Sequence, residues 1–227
     1  MTDLVRYDLT AGTATLTMDD GKANVMTPAM LAALTDALDR AEREAEVVVL
    51  TGRPRMFSGG YDLAMFQGPL DEVARTLTAG GELVHRLLSF PLPVVAACTG
   101  HAIAQGAFLL LAADVRLGVA GDFRLGLNEV AIGLTIPHYG VEVARHRLTA
   151  PGFDRAANTG RLFAPEEAQR LGFLDIVVPA ADFDAAVTAE VESLSRIVRS
   201  AHAATKLRVR ACALAAIRAA VDTEFVG

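Results

Sequence analysis

Cysteine is scarce: Cys98 and Cys212 are the two in a chain of 227 residues. Without CxxC spacing they form neither a disulfide framework nor a thiolate zinc site, and they read as free, buried thiols in a reducing compartment. Basic charge is also short. Lys and Arg number 21 against 27 Asp and Glu, a net charge of −6, which argues against nucleic acid as a partner. Long apolar runs are missing too. The longest, Ala102 to Ala113, contains Gln105 and falls short of the ~20 residues that a membrane span requires. Met1-Thr2-Asp3-Leu4 carries neither a basic stretch nor an apolar core, so no secretory signal is expected. No repeat, low-complexity tract or Pro/Ser-rich linker interrupts the chain, and no phosphate loop or dinucleotide fingerprint occurs. His85, His146 and His202 lack the spacing of a metal site. A soluble cytoplasmic protein without a metal is the expectation.

What the chain does have is apolar residues, 52% of the total, enough for a large core in one good-sized domain. Leu4–Leu9 and Thr13–Met18, joined by Ala11-Gly12, read as a hairpin. Thr27-Pro28 opens a helix, with Met30, Leu31, Leu34 and Leu38 on one face, because threonine caps and proline suits the first turn. Val47–Leu50 and Pro93–Cys98 are uniformly apolar, as expected of strands covered on both faces. A helix is expected over Asp71–Ser89, weakened by Gly80-Gly81, another from Gly106 to Ala113, and a third strand over Val115–Ala120. This alternation predicts a layered α/β fold with right-handed crossovers. After Asn128 the chain turns mostly helical, with a late strand at Phe173–Val178 and long helices at Asp182–Val198 and Ala201–Val221, and a subdomain boundary is expected near residue 150.

Two small-residue loops carry the functional signal. Phe57-Ser58-Gly59-Gly60-Tyr61-Asp62-Leu63 follows the first apolar strand, and His101-Ala102-Ile103-Ala104-Gln105-Gly106-Ala107 follows the second. Two such loops can aim backbone N–H groups at one point and stabilise charge on a carbonyl oxygen. Taken singly, each also fits an ordinary βα turn. Glu129 lies in the largely apolar stretch Gly126–Pro137. An apolar setting raises a carboxyl pKa and suits it to acid–base work, although a solvated or capping glutamate at a helix start fits the same local sequence.

Together these segments resemble the enoyl-CoA hydratase/isomerase (crotonase) superfamily. Leu16–Met26 is similar to the family's "K-x-N-A-L" opening segment and Phe57–Leu63 to its "F-x-A-G-x-D-L". Pro93–Gly106, Ala112–Arg116, Gly126–Pro137 and Ala164–Asp175 follow in the family's order. The resemblance implies a ββα spiral over residues 1–150 that carries a CoA-thioester site, and a helical C-terminal region over 151–227 that builds homotrimers or hexamers. It implies an acyl-CoA thioester as partner and no resident cofactor, since the substrate brings its own coenzyme A. It places the oxyanion-hole donors at Tyr61 and Gln105, with Gly106 as the neighbouring alternative, and an acid/base at Glu129. It sets Lys22, Ala23, Gly60, Gly106, Phe108 and His138 along the substrate. Lys22 is equally a surface lysine, and Lys206 is expected near the CoA or a neighbouring subunit. Asp62 is expected to cap or pair beside the hole, and Asp114 to tie the third strand to its surroundings.

One departure bears on the reaction. Family hydratases use two glutamates, and at the first of these positions this chain has Phe108. A lone acid/base suits movement of a double bond from the 3- to the 2-position. Hydration requires another group to position water, with His101, His138 and Tyr139 as the polar candidates. A relative that binds acyl-CoA without turning it over is the alternative from another class. Family members commonly continue one or two helices further, so a pocket altered on its C-terminal side is expected.

Overall fold

The computed structural model describes residues 3–225; Met1, Thr2, Val226 and Gly227, which belong to the chain ends considered above, lie outside the described residues. β1 (Val5–Thr10) and β2 (Thr13–Met18) form the hairpin. Ala11 and Gly12 both take positive φ, 48° and 78°, the twist that a two-residue hairpin connection needs. α1 (Pro28–Glu44) starts where Thr27 accepts the Met30 N–H with its side chain. β3 (Val47–Gly52), β4 (Arg55–Ser58) and α2 (Leu70–Ser89) follow, then β5 (Val94–Cys98), β6 (Gly100–Ile103) and α3 (Gln105–Ala112). β7 (Val115–Val119) and β8 (Leu125–Gly126) lead into a 3-10 turn at Glu129–Ile132. The remainder is α4 (His138–Arg147), α5 (Ala150–Thr159), β9 (Leu162–Phe163), α6 (Pro165–Leu171), β10 (Ile176–Val178), α7 (Phe183–Leu194), α8 (Arg199–Val209) and α9 (Ala211–Thr223).

The strands divide between two sheets, ordered β1-β2-β3-β5-β7-β10 and β4-β6-β8-β9. Each turn of the chain lays one strand in the large sheet and one in the small sheet, then returns through a helix or helical turn. This is the ββα spiral expected from the resemblance. Parallel pairing of β3 with β5 places Val48 opposite Val94, and pairing of β4 with β6 places Met56 opposite His101 and Ser58 opposite Ala102. The two small-residue segments are therefore partly strands rather than loops throughout, and their pairing ends them side by side. β4 and β6 are too short to show a period in the sequence.

Three further expectations change. The stretch Ala201–Val221 is two helices, broken at Arg210, whose guanidinium turns inward to Leu88 O (2.9 Å) and Asp114 Oδ1 (2.7 Å). Residue 150 does not divide two cores: β9 joins the small sheet, β10 joins the large one, and Leu214, Ile217 and Val221 of α9 sit in the main core. Cys98 is buried as expected, but Cys212 is exposed. α2 runs unbroken through Gly80-Gly81. Among the described residues no helix is long and apolar enough to cross a membrane.

Candidate active site

The opening segment fixes the first loop. Asn24 is fully buried, and its amide donates to Met18 O (3.0 Å) and Phe57 O (3.1 Å). Gly59 N–H donates to Ala23 O and Met26 N–H to Gly60 O, both at 2.8 Å. Ser58 Oγ donates to Asn24 O at 2.7 Å and accepts the Gly60 N–H at 3.2 Å. Asp62 caps the next turn by accepting the Ala64 N–H at 3.0 Å, the capping role expected of it. Among the described residues nothing accepts the Tyr61 N–H.

The second loop ends at the N-terminus of α3. Its first turn has no intrahelical acceptors for its N–H groups, and among the described residues nothing accepts the Gln105 N–H. The helix dipole favours negative charge at this end. Gly60, at φ 88°, is pressed against this turn: a Cβ there would lie 2.9 Å from Ala104 Cβ and 3.4 Å from the Gln105 nitrogen. Gly106 packs equally tightly on the Ser58 backbone. Both glycines hold the loops together rather than lining the open space.

That open space is a cavity of about 290 Å³ with Tyr61, Ala104, Phe108 and Glu129 on its wall, closed by Leu77 and Phe225. Glu129 begins the 3-10 turn that ends at Gly133 in the left-handed conformation. It is 6% exposed, and among the described residues its Oε2 has no hydrogen-bond partner. Burial raises its pKa to about 7, a backbone hydrogen bond offsetting part of the effect. Tyr61 and the Glu129 carboxyl thus line one mostly apolar cavity, and Ala104, the residue just before Gln105, stands on the same wall. Such an arrangement can hold a carbonyl oxygen and exchange a proton beside it.

Other expected residues lie elsewhere. Lys22 is exposed and Ala23 half-buried, both on the outer side of the first loop. His138 is exposed, and its backbone N–H donates to Glu224 Oε2 at 2.8 Å. His101 accepts the Arg124 N–H through Nδ1 at 3.0 Å. Neither histidine lines the cavity. Lys206 is not free for CoA or a neighbour, because its ammonium is buried against Asp114 Oδ2 at 2.7 Å. Asp114 also accepts the Val94 N–H at 2.8 Å, and so joins the third repeat to α8 and α9 as well as to β5.

Sequence reasoning missed Glu224 and named Tyr139 only as a polar candidate for positioning water. Glu224 brings a second carboxylate to the cavity wall. Tyr139 is fully buried, with its hydroxyl 2.7 Å from that of Tyr61 and 2.9 Å from Gln105 Oε1. The Gln105 side chain is drawn inward, away from the cavity, and its Nε2 donates to Gly80 O at 3.0 Å. Among the described residues no cluster of His, Cys, Asp or Glu is arranged to hold a metal.

A ββα spiral carrying such a cavity defines a class of acyl-thioester proteins. The chain belongs to the enoyl-CoA hydratase/isomerase family, whose model matches residues 8–224. A Pseudomonas syringae structure, an enoyl-CoA hydratase/isomerase family protein, is 44% identical with a TM-score of 0.96, covering 99% of this chain and 97% of that one. The structure of a Mycobacterium tuberculosis enoyl-CoA isomerase is 43% identical with a TM-score of 0.93, covering 98% and 97%. A Thermus thermophilus relative that carries the enoyl-CoA hydratase name is 36% identical over 171 residues; the match spans 71% of this chain and 65% of that relative's length. Relatives with both names support a lyase- or isomerase-like enzyme.

Proposed function

We propose that this protein moves the double bond of a 3-enoyl-CoA thioester to the 2-position. The thioester oxygen sits between the N–H groups of Tyr61 and Gln105. The Glu129 carboxylate takes a proton from C2, and the electron pair delocalises over a dienolate whose oxygen is held by those donors. The protonated Glu129 returns the same proton at C4, leaving the double bond between C2 and C3. The reaction is redox-neutral and ends with Glu129 ionised again, so no resident cofactor takes part.

The observation that carries this reading is the buried Glu129, its Oε2 without a partner among the described residues, in the cavity it shares with Tyr61, with Phe108 on the same wall where the family's hydratases have a glutamate. One structure of the Mycobacterium tuberculosis relative carries the isomerase name, which supports it, while another structure of the same protein carries the hydratase name. Turnover of 3-hexenoyl-CoA and of crotonyl-CoA tests it. Isomerisation is expected to dominate and to fall about 10²–10⁴-fold in Glu129→Gln. Faster hydration of crotonyl-CoA overturns it in favour of a hydratase, and tight acyl-CoA binding with no turnover in favour of a non-catalytic relative.

One observation favours hydration as a second reading: Glu224 lines the same cavity, and in that reading it holds a water that Glu129 activates. In that case Glu224→Gln lowers hydration and leaves isomerisation intact. For the assembly we infer a homotrimer or hexamer through α8, where Val198, Leu207 and Val209 are 68%, 48% and 70% exposed, an apolar surface that another copy would cover. A cytoplasmic setting suits a chain with two free thiols, one of them exposed.

A further inference from the structure

The two proposed hole donors are joined through their side chains as well as their loops. Tyr61 Oη lies 2.7 Å from Tyr139 Oη, Tyr139 Oη lies 2.9 Å from Gln105 Oε1, and Gln105 Nε2 lies 3.0 Å from Gly80 O. The direction of this chain follows from what each group can do. The Gly80 carbonyl only accepts, so the glutamine amide must face it with nitrogen. Gln105 Oε1 then only accepts, and it takes the single hydroxyl proton of Tyr139. Tyr61 therefore donates to Tyr139. Every link is buried and every one is satisfied, which a buried polar chain requires if it is to fix one geometry.

Both phenols stay neutral. Burial raises the Tyr61 pKa, and it raises that of Tyr139 well above the ordinary value, with the neighbouring phenol and Glu129 adding to the effect. The chain thus carries no charge and relays no proton. The Tyr139 ring is held edge-on by Phe108 at 5.9 Å and by Phe225 at 6.4 Å. Phe108 therefore buttresses the strut instead of supplying a carboxylate.

We propose that Tyr139 is a positioning residue for the oxyanion hole, setting the separation and aim of the Tyr61 and Gln105 N–H groups through their own side chains. The same chain accounts for a glutamine where the family has a glycine-rich stretch: Gln105 supplies both a hole amide and the anchor that orients it. The proposal rests on the reading of those two amides as the hole, and it holds whichever reaction Glu129 performs.

The test is the carbonyl stretch of a bound, unreactive thioester, hexanoyl-CoA labelled with ¹³C at C1, measured by infrared difference spectroscopy beside kcat and KM for 3-hexenoyl-CoA. Wild type is expected to shift the stretch to lower wavenumber. Tyr139→Phe keeps the ring and removes both hydrogen bonds. It is expected to lose at least half of that shift and to lower kcat about 10–100-fold, with KM changed less than threefold, as for a misaimed donor. Tyr61→Phe breaks one link from the other side and gives a smaller loss in the same direction. Glu129→Gln lowers turnover about 10²–10⁴-fold and keeps the full shift. A wild-type shift without turnover of either thioester sinks the isomerase reading and leaves the strut standing. An unchanged shift and kcat in Tyr139→Phe overturns the strut while the isomerase reading survives. An unshifted stretch in wild type overturns both the hole and the strut. If Tyr139→Phe lowers thermal stability, Tyr61→Phe decides, since loss of shift there cannot come from the missing Tyr139 hydroxyl.

Discussion

The hydroxyl of Tyr61 occupies the space that a Cβ on Gly80 would need. Gly80 lies in the middle of α2, where alanine is ordinarily better by about 1 kcal/mol. Here the sign reverses. Gly80→Ala is expected to destabilise by about 1–3 kcal/mol through overpacking, and to lower kcat by displacing Tyr61. Urea unfolding together with turnover of 3-hexenoyl-CoA checks this; a more stable variant with wild-type kcat would contradict it.

Glu129 should control both rate and stability with pH. Its pKa rises from 4.5 to about 7 on folding, so the base form populates through neutrality and kcat/KM is expected to climb with an inflection near pH 7. Stability runs the other way. The native carboxyl binds its proton more tightly than the unfolded one, so folding free energy declines as pH rises from about 4.5 to about 7. Glu129→Gln is expected to match wild type near pH 5 and to exceed it by about 3 kcal/mol at pH 8. Urea melts at the two pH values measure the difference, and equal stability at both counts against an uncompensated buried carboxyl.

Phe108 is fully buried, packed on Tyr139 and on the space left by Gly140. Truncation to alanine is expected to cost about 3–5 kcal/mol. Phe108→Glu restores the chemical type of a hydratase at that position, yet it should destabilise comparably and leave hydration of crotonyl-CoA unraised, because no polar partner awaits the new carboxylate. A tenfold gain in hydration would show that this single position chooses the reaction.

Asp114 holds Lys206 and Arg210, each at 2.7 Å, and the three side chains are nearly excluded from solvent. Asp114→Asn keeps an acceptor for the Val94 N–H but leaves two buried cations without a counter-ion. The expected loss is about 3–5 kcal/mol, read by urea unfolding. Catalytic constants should change little in the fraction that remains folded, since the cluster does not touch the cavity.

Much of the frame is legible in local patterns. The β1–β2 hairpin, the Thr27 cap of α1, and the apolar runs of β3 and β5 each declare themselves within a few residues, because turn chemistry and side-chain period act over short range. The long C-terminal helix does not declare its break. Arg210 carries no helix-stopping signal, and the chain bends there because Leu88 O and Asp114 offer buried acceptors. The four strands of the small sheet are as short as two residues, and their stability lies in pairing across the spiral.

The candidate site divides along the same line. Sequence by itself determined the kinds of group available: two glycine-bearing segments after apolar strands, one glutamate in apolar surroundings, and a phenylalanine where a second glutamate was expected. It could not say that His138 faces outward while Tyr139 faces in, since adjacent positions at a helix start point in different directions and both side chains are polar. Nor could it foresee that Gln105 turns away from the cavity to reach Tyr139 and Gly80. Those outcomes depend on close packing among α2, α3 and α4, elements far apart in the chain. Buried polar atoms there must find partners, and only the tertiary structure decides which partners are within reach.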